Sequence, residues 1–265
     1  MRKRVGIPYT MAIAERLTPR DWAILDSLSR CRLATGKQLG RLHFANLAPA
    51  SARRTRPAVL RRLVSLRVIA VAARPIGGHG GGQRSTVYML DTAGDTLMRL
   101  RRDPKNTRPR RRPGPPGDRF MAHVLTVTEL YVQAAEAERG QRFALRDYQA
   151  EPACWWPTSD GTTLKPDAYL HVGNGDVSDR WWIEADLGTE SIPTLTAKLA
   201  VYARFAENDG RGPGGVLPAI LITTPGNPRA DAIRTRAVPT RGDPDLFCVV
   251  ALRDAIDAIA TTLHN

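Results

Sequence analysis

The sequence predicts a two-domain α+β protein, and three observations carry that prediction. The first is a division of charge. Residues 1–117 hold 25 Lys+Arg against 6 Asp+Glu, whereas residues 118–265 hold 14 against 20, within a net charge of +13. The second is the stretch RRDPKNTRPRRRPGPPGD at 101–118, rich in arginine and proline and unable to form a core. The third is a change of rhythm across that stretch: helical spacings and one hairpin pattern precede it, and strands alternate with helices after it. One domain is therefore expected at 1–100, a linker at 101–118 and a second domain at 119–265. The linker reads equally as a solvated tether or as a basic arm laid along phosphates.

Each element of the first domain has its own signal. In LTPRDWAILDSL, Thr18 is placed to cap a helix, Pro19 fits its first turn, and Trp22, Leu25 and Leu28 recur at helical spacing. TGKQLGRLHF gives a second short helix capped by Thr35, with Leu39, Leu42 and Phe44 inward. SARRTRPAVLRRLVSL gives a third, burying Leu60, Leu63, Val64 and Leu66 and turning Arg53, Arg54, Arg56, Arg61 and Arg62 elsewhere; Pro57 places the start of regular helix near itself. The run from Val68 to Ala72 and TVYML at 86–90 read as two strands around the basic, glycine-rich RPIGGHGGGQRS. DTAGDTLMRL adds a closing helix. Three helices followed by such a hairpin form a winged helix-turn-helix, whose third helix enters the major groove while the wing touches backbone or minor groove. Arg53, Arg54, Arg56 and Arg61 are the candidate helix contacts to DNA, and Arg74 and Arg84 the candidate wing contacts. His79 in the same loop stands alone and reads as a polar loop residue.

The second domain opens with RFMAHVLTVTELYVQAAEAERG, a helix of about five turns. RFALRDYQAE, KPDAYLHV and RWWIEADL then read as strands, SIPTLTAKLAVYARFAE as a helix, and two strand-helix pairs complete an α/β sheet. Side chains two apart on a strand share a face, so Lys165 aligns with Asp167 and Glu184 with Asp186. If the two strands pair, Asp167 and Glu184 converge on one hard divalent cation, which would polarise a phosphodiester and acidify water. The bland alternative is a set of surface carboxylates at strand ends. TTPGNPRAD reads as a turn.

The order helix, three strands, helix, strand around Pro166-Asp167 and Glu184-x-Asp186 resembles the PD-(D/E)XK nuclease fold. With the winged helix included, the whole chain resembles the replication-relaxation family of bacterial plasmids and integrated elements, most specifically at PDAYLHV, WWIEADLGTES and KLAVYARF. The resemblance implies DNA processing in plasmid replication or transfer, double-stranded DNA and replication or conjugation proteins as partners, and Mg2+ or Mn2+ as cofactor. It assigns Asp167 and Glu184 to the metal, with Asp186 a further candidate ligand from this chain's own sequence, and matches Glu129 to a helix glutamate that some members add. At position 186 the motif's lysine is replaced by Asp186, so the stabiliser of the developing oxyanion must come from elsewhere. Lys198, one turn from Tyr202 on the next helix, is the first candidate for a migrated amine and Lys165 the second.

Two functions remain in contention: a DNA-binding protein with a metal-dependent endonuclease or nickase domain, and a non-enzymatic DNA-binding replication or transcription factor whose nuclease-like domain is inactive. A relaxase chemistry finds little support, since the five histidines form no His-x-His cluster and Tyr202 reads as core. Two-fold DNA readers suggest a homodimer. No run of eighteen apolar residues and no secretory leader is present, so a cytoplasmic protein without a membrane partner is expected. Cys31, Cys154 and Cys248 lie far apart, which argues against a disulfide framework and a zinc knuckle.

Overall fold

A computed structural model describes residues 6–72, 85–106, 116–240 and 242–263. The fold mixes α and β and divides into two compact units, Met1–Val132 and Gln133–Asn265. The division falls inside a long helix, because the front of that helix packs on the first unit. Met121 and Val124 share a buried cluster with Leu33, Ala70, Val87 and Met89.

The first unit contains α1 (Ile7–Ala14), α2 (Pro19–Cys31), β1 (Ala34–Thr35), α3 (Gly36–His43), α4 (Pro49–Ser65), β2 (Ile69–Val71), β3 (Val87–Leu90), α5 (Thr92–Arg102) and the start of α6 (Asp118–Arg139). Both expected caps form, and each is reciprocal. Thr18 Oγ1 accepts the Asp21 N–H while Asp21 accepts the Thr18 N–H, and Thr35 does the same with Gln38. The strand order is β1-β3-β2, with β3 antiparallel to both neighbours and Ile69 opposite Leu90. Ile24, Leu25, Leu39, Leu60, Leu63 and Val68 bury the facing sides of the helices and the hairpin. Helix α5 lies so close to β2 that a Cβ on Gly94 would come within 2.0 Å of the Val68 carbonyl oxygen.

Two expectations for α4 require correction. The helix is continuous from Pro49 and carries Pro57 inside it, instead of starting near residue 57. Pro49 sits in the first turn, where no N–H is needed, and Pro57 lies on the exposed face, where water reaches the carbonyl that loses its partner. Arg62 does not point away from the unit. Its Nη2 lies 2.6 and 2.5 Å from the two oxygens of Asp21, a carboxylate at 0% exposure. The loop expected to form the wing, with Arg74, His79 and Arg84, lies outside the described residues, as do residues 107–115 of the 101–118 stretch.

The second unit contains the end of α6, then β4 (Ala144–Ala150), β5 (Trp156–Pro157), β6 (Thr163–Leu164), β7 (Ala168–Asn174), β8 (Val177–Ala185), α7 (Ile192–Glu207), β9 (Ala219–Thr224), α8 (Asn227–Arg236), β10 (Phe247–Ala251) and α9 (Ala255–Thr262). Its main sheet has the order β10-β9-β8-β7-β4. The β4-β7-β8 side is antiparallel, and the β8-β9-β10 side is parallel. Gly175 turns β7 into β8 at φ 58°, a conformation glycine adopts without a Cβ penalty. The parallel pairs need crossovers, which α7 and α8 supply, and both helices close over Trp182, Ile220 and Ile222 on one sheet face. The small β5-β6 hairpin has no counterpart in the sequence reading. Among the described residues, no helix is long and apolar enough to cross a membrane, and the three cysteines are free.

Candidate functional site

The pairing of β7 with β8 brings two carboxylates together. Asp167 stands one residue before β7, where its N–H donates to the Ile183 carbonyl at 2.9 Å. Its Oδ2 accepts the Ala185 N–H at 2.8 Å. Behind it, the Cys154 thiol donates to the Pro166 carbonyl at 3.1 Å. Glu184 is the penultimate residue of β8 and is 2% exposed.

Helix α7 serves this pair with two side chains one turn apart. The Tyr202 hydroxyl donates to Glu184 Oε1 at 2.5 Å, and the Lys198 ammonium forms an ion pair with Oε2. The residues recur at i and i+4, so one helix face presents both donors. Burial, with Asp167 beside it, pushes the Glu184 carboxyl up to about 7, against the pull of Lys198 and Tyr202. Burial alone would lower the Lys198 pKa, but Glu184 and Asp167 more than offset it and hold the ammonium charged above its usual range. The Tyr202 phenol is raised, by burial first and by Glu184 second, so it stays protonated and donates.

Asp186 leaves β8 in another company. Its N–H donates to the Thr223 carbonyl at 2.9 Å. Its carboxylate receives Arg229 Nε at 2.7 Å and Nη2 at 3.3 Å, and the Gly188 N–H caps Oδ1 at 3.1 Å. Arg229, in the first turn of α8, also reaches the Glu190 carbonyl at 2.6 Å. This fork ties the β8 exit loop to α8, and the hydrogen bond to Asp186 holds the guanidinium pKa up. Among the described residues, no group of three or more His, Cys, Asp or Glu could hold a metal ion.

Of the expected site residues, then, Asp167, Glu184 and Lys198 gather and Asp186 faces Arg229. Lys165 is exposed, with its Nζ 5.0 Å from the centre of the Trp155 ring. Glu129 belongs to the first unit, where Gln38 Nε2 donates to it at 3.0 Å and Arg41 pairs with it. On α4, Arg53, Arg54 and Arg61 are exposed, while Arg56 is half-buried beside Gly40, whose Cβ, if present, would meet Arg56 Nη1 at 2.7 Å. Sequence reasoning missed Tyr202 as a donor and Arg229 altogether. The i, i+4 relation to Lys198 signals the first; nothing local links residue 229 to residue 186.

A family model described as replication-relaxation matches residues 25–220. No curated protein matches the chain. Among solved structures, the SdaI restriction endonuclease matches at 13% identity over 84% of this chain and 78% of that one, with a TM-score of 0.22.

Proposed function

The chain belongs to the replication-relaxation family, and from that premise we propose that it is a DNA-binding protein of plasmid or mobile-element replication or transfer whose second unit cleaves or nicks DNA with a divalent metal. The first unit acts as a winged helix-turn-helix on double-stranded DNA. Its α4 offers Arg53, Arg54, Arg56 and Arg61 to the duplex, and the 73–84 segment adds Arg74 and Arg84. A second copy of the chain reads the other half of a two-fold site.

The second unit acts as a PD-(D/E)XK-like domain, and the observation that carries this reading is the Asp167–Glu184 pair with Lys198 seated on Glu184. The donor set fits Mg2+ or Mn2+, hard ions held by one or two carboxylates while keeping several waters. Asp167 and Glu184 would hold the ion, whose charge would relieve the repulsion that Asp167 imposes on Glu184. Asp186 joins them as a ligand only by releasing Arg229. When bound, the ion supplies Lewis-acid polarisation of the phosphodiester and a more acidic water. Tyr202 orients the Glu184 carboxylate through Oε1, and Lys198 places a positive charge beside the site where the attacked phosphate gains negative charge.

A second reading is favoured by the Asp186–Arg229 fork, which puts a neutralised carboxylate where the nuclease motif has an amine. In that reading the chain is a non-enzymatic DNA-binding replication or transcription factor. Supercoiled DNA carrying the origin of the chain's own element, incubated with and without Mg2+ or Mn2+, separates the two. Metal-dependent nicking that disappears in an Asp167→Ala, Glu184→Ala double variant supports the nuclease. DNA binding without nicking in either protein supports the factor.

A further inference from the structure

Trp155 is 39% exposed, and among the described residues it is the only Phe, Tyr or Trp that lies open to solvent in this way. The small β5-β6 hairpin explains where it points. Trp156 lies opposite Leu164 and Pro157 opposite Thr163 in that antiparallel pair, and Trp156 and Leu164 turn inward onto the cluster around Trp182. Alternation along the two strands then sends their neighbours, Trp155 and Lys165, to the other face as a cross-strand pair. The Lys165 ammonium accordingly stands 5.0 Å from the centre of the Trp155 ring.

This pair is tied to the Asp167–Glu184 carboxylates. The Glu151 N–H donates to the Asp167 carbonyl at 3.0 Å and the Cys154 thiol to the Pro166 carbonyl at 3.1 Å, so the turn that leads into Trp155 is bonded to the residues that place the first carboxylate. Burial pushes the Cys154 thiol up to about 12, and Asp167, Glu151 and Glu184 push it the same way, which puts the thiol within the field of both site carboxylates. Lys165 precedes Asp167 by two residues, at most about 7 Å of extended chain. The charged side chains of these two segments are Lys165, which is exposed, and Glu151, which is half-buried. An exposed indole beside an ammonium suits a single strand: a base stacks on the ring while the cation meets the backbone, whereas the bases of an intact duplex are already stacked on one another.

We propose that Trp155 stacks an unpaired nucleobase and Lys165 holds a neighbouring phosphate, so that the second unit takes single-stranded DNA at its carboxylate pair. The inference rests on the nuclease-like reading of that unit, but its test involves neither metal nor cleavage.

Fluorescence anisotropy of the full chain in EDTA tests it, with a labelled thymidine strand of about twelve nucleotides and an abasic strand of the same length and charge. Raised salt suppresses the general attraction of the basic first unit for phosphates, which both strands share. The wild-type protein should bind the thymidine strand at least about fivefold tighter than the abasic one. Trp155→Ala should erase that preference, and Trp155→Phe should restore most of it; the residue is exposed, so both variants should fold. Lys165→Gln should weaken both strands alike, because the backbone is common to them. Absence of metal-dependent nicking with this preference intact would remove the nuclease reading and leave the stacking platform in place. Equal binding of the two strands by the wild-type protein, or a preference that survives Trp155→Ala, would overturn the proposal, and unchanged affinities in Lys165→Gln would overturn the part given to that residue.

Discussion

Lys198 and Glu184 form an ion pair across the second unit, joining the middle of α7 to the end of β8 at a carboxylate that is 2% exposed. An acid so deep in the protein is stable only with its partners, because an uncompensated buried charge costs far more than a pair gains. Lys198 therefore serves the fold whatever else it does. Its position beside both carboxylates is what makes a catalytic role testable.

Lys198→Met should lower metal-dependent nicking by about 100-fold or more, the scale on which a single charge-stabilising donor acts. DNA binding by gel shift should be retained, since the residue lies outside the first unit. Undiminished nicking would leave Lys198 as a counter-ion for Glu184 only.

Tyr202→Phe keeps the ring that packs 6.0 Å from Trp182 and removes the hydroxyl that serves Glu184. A buried carboxylate that loses a donor costs about 1.5–3 kcal/mol. Urea denaturation should show that loss with an unchanged far-ultraviolet spectrum.

Glu184 also imposes a pH dependence. Its folded pKa, about 7, lies above the unfolded value of 4.5, so the folded chain holds this proton more tightly. Its proton-linked contribution to stability is complete below pH 4.5 and is lost as pH rises toward 7. Relative to Glu184→Gln, which has no proton to lose, the wild-type protein should lose on the order of 2–3 kcal/mol across that window in metal-free urea titrations.

Asp21→Asn attacks two interactions at once, the charge of the Arg62 pair and the strength of the α2 capping box. It should destabilise the protein by about 2–4 kcal/mol in the same urea assay. Arg62→Met should lose a similar amount, which distinguishes Arg62 from its exposed neighbours on α4.

Arg54→Ala and Arg61→Ala should weaken DNA binding at every sequence tested. Each lost phosphate contact should lower the slope of log affinity against log salt by about 0.9. A loss confined to one base position would instead identify base reading by that arginine.

Local chemistry explains what could be read in advance. The caps at Thr18 and Thr35 are spelled out within four residues, and the strand patterns of KPDAYLHV and RWWIEADL put Asp167 and Glu184 on two segments whose pairing brings them together, although the alignment of Glu184 with Asp186 expected from alternation ends with Asp186 on Arg229. The family emerged from the same carboxylates and their flanking strands. What could not be read depended on distant partners. Arg62 and Asp21 are 41 positions apart, and Arg229 and Asp186 are 43 apart, so no spacing rule announces either pair. Glu129 was drawn into the site by resemblance, whereas its own surroundings give it to Gln38 and Arg41. Pro57 misled because a breaker on an exposed helix face costs less than one facing the core.

The most direct measurement is the binding of Mn2+ by the full chain, followed through the loss of the free-ion paramagnetic resonance signal, beside the Asp167→Ala, Glu184→Ala double variant. The proposed metal centre requires a saturable Mn2+ site in the wild-type protein that is absent from a folded double variant. A wild-type protein that takes up no Mn2+, or a variant that binds it equally well, would contradict the centre and leave Asp167, Glu184 and Lys198 as a structural cluster.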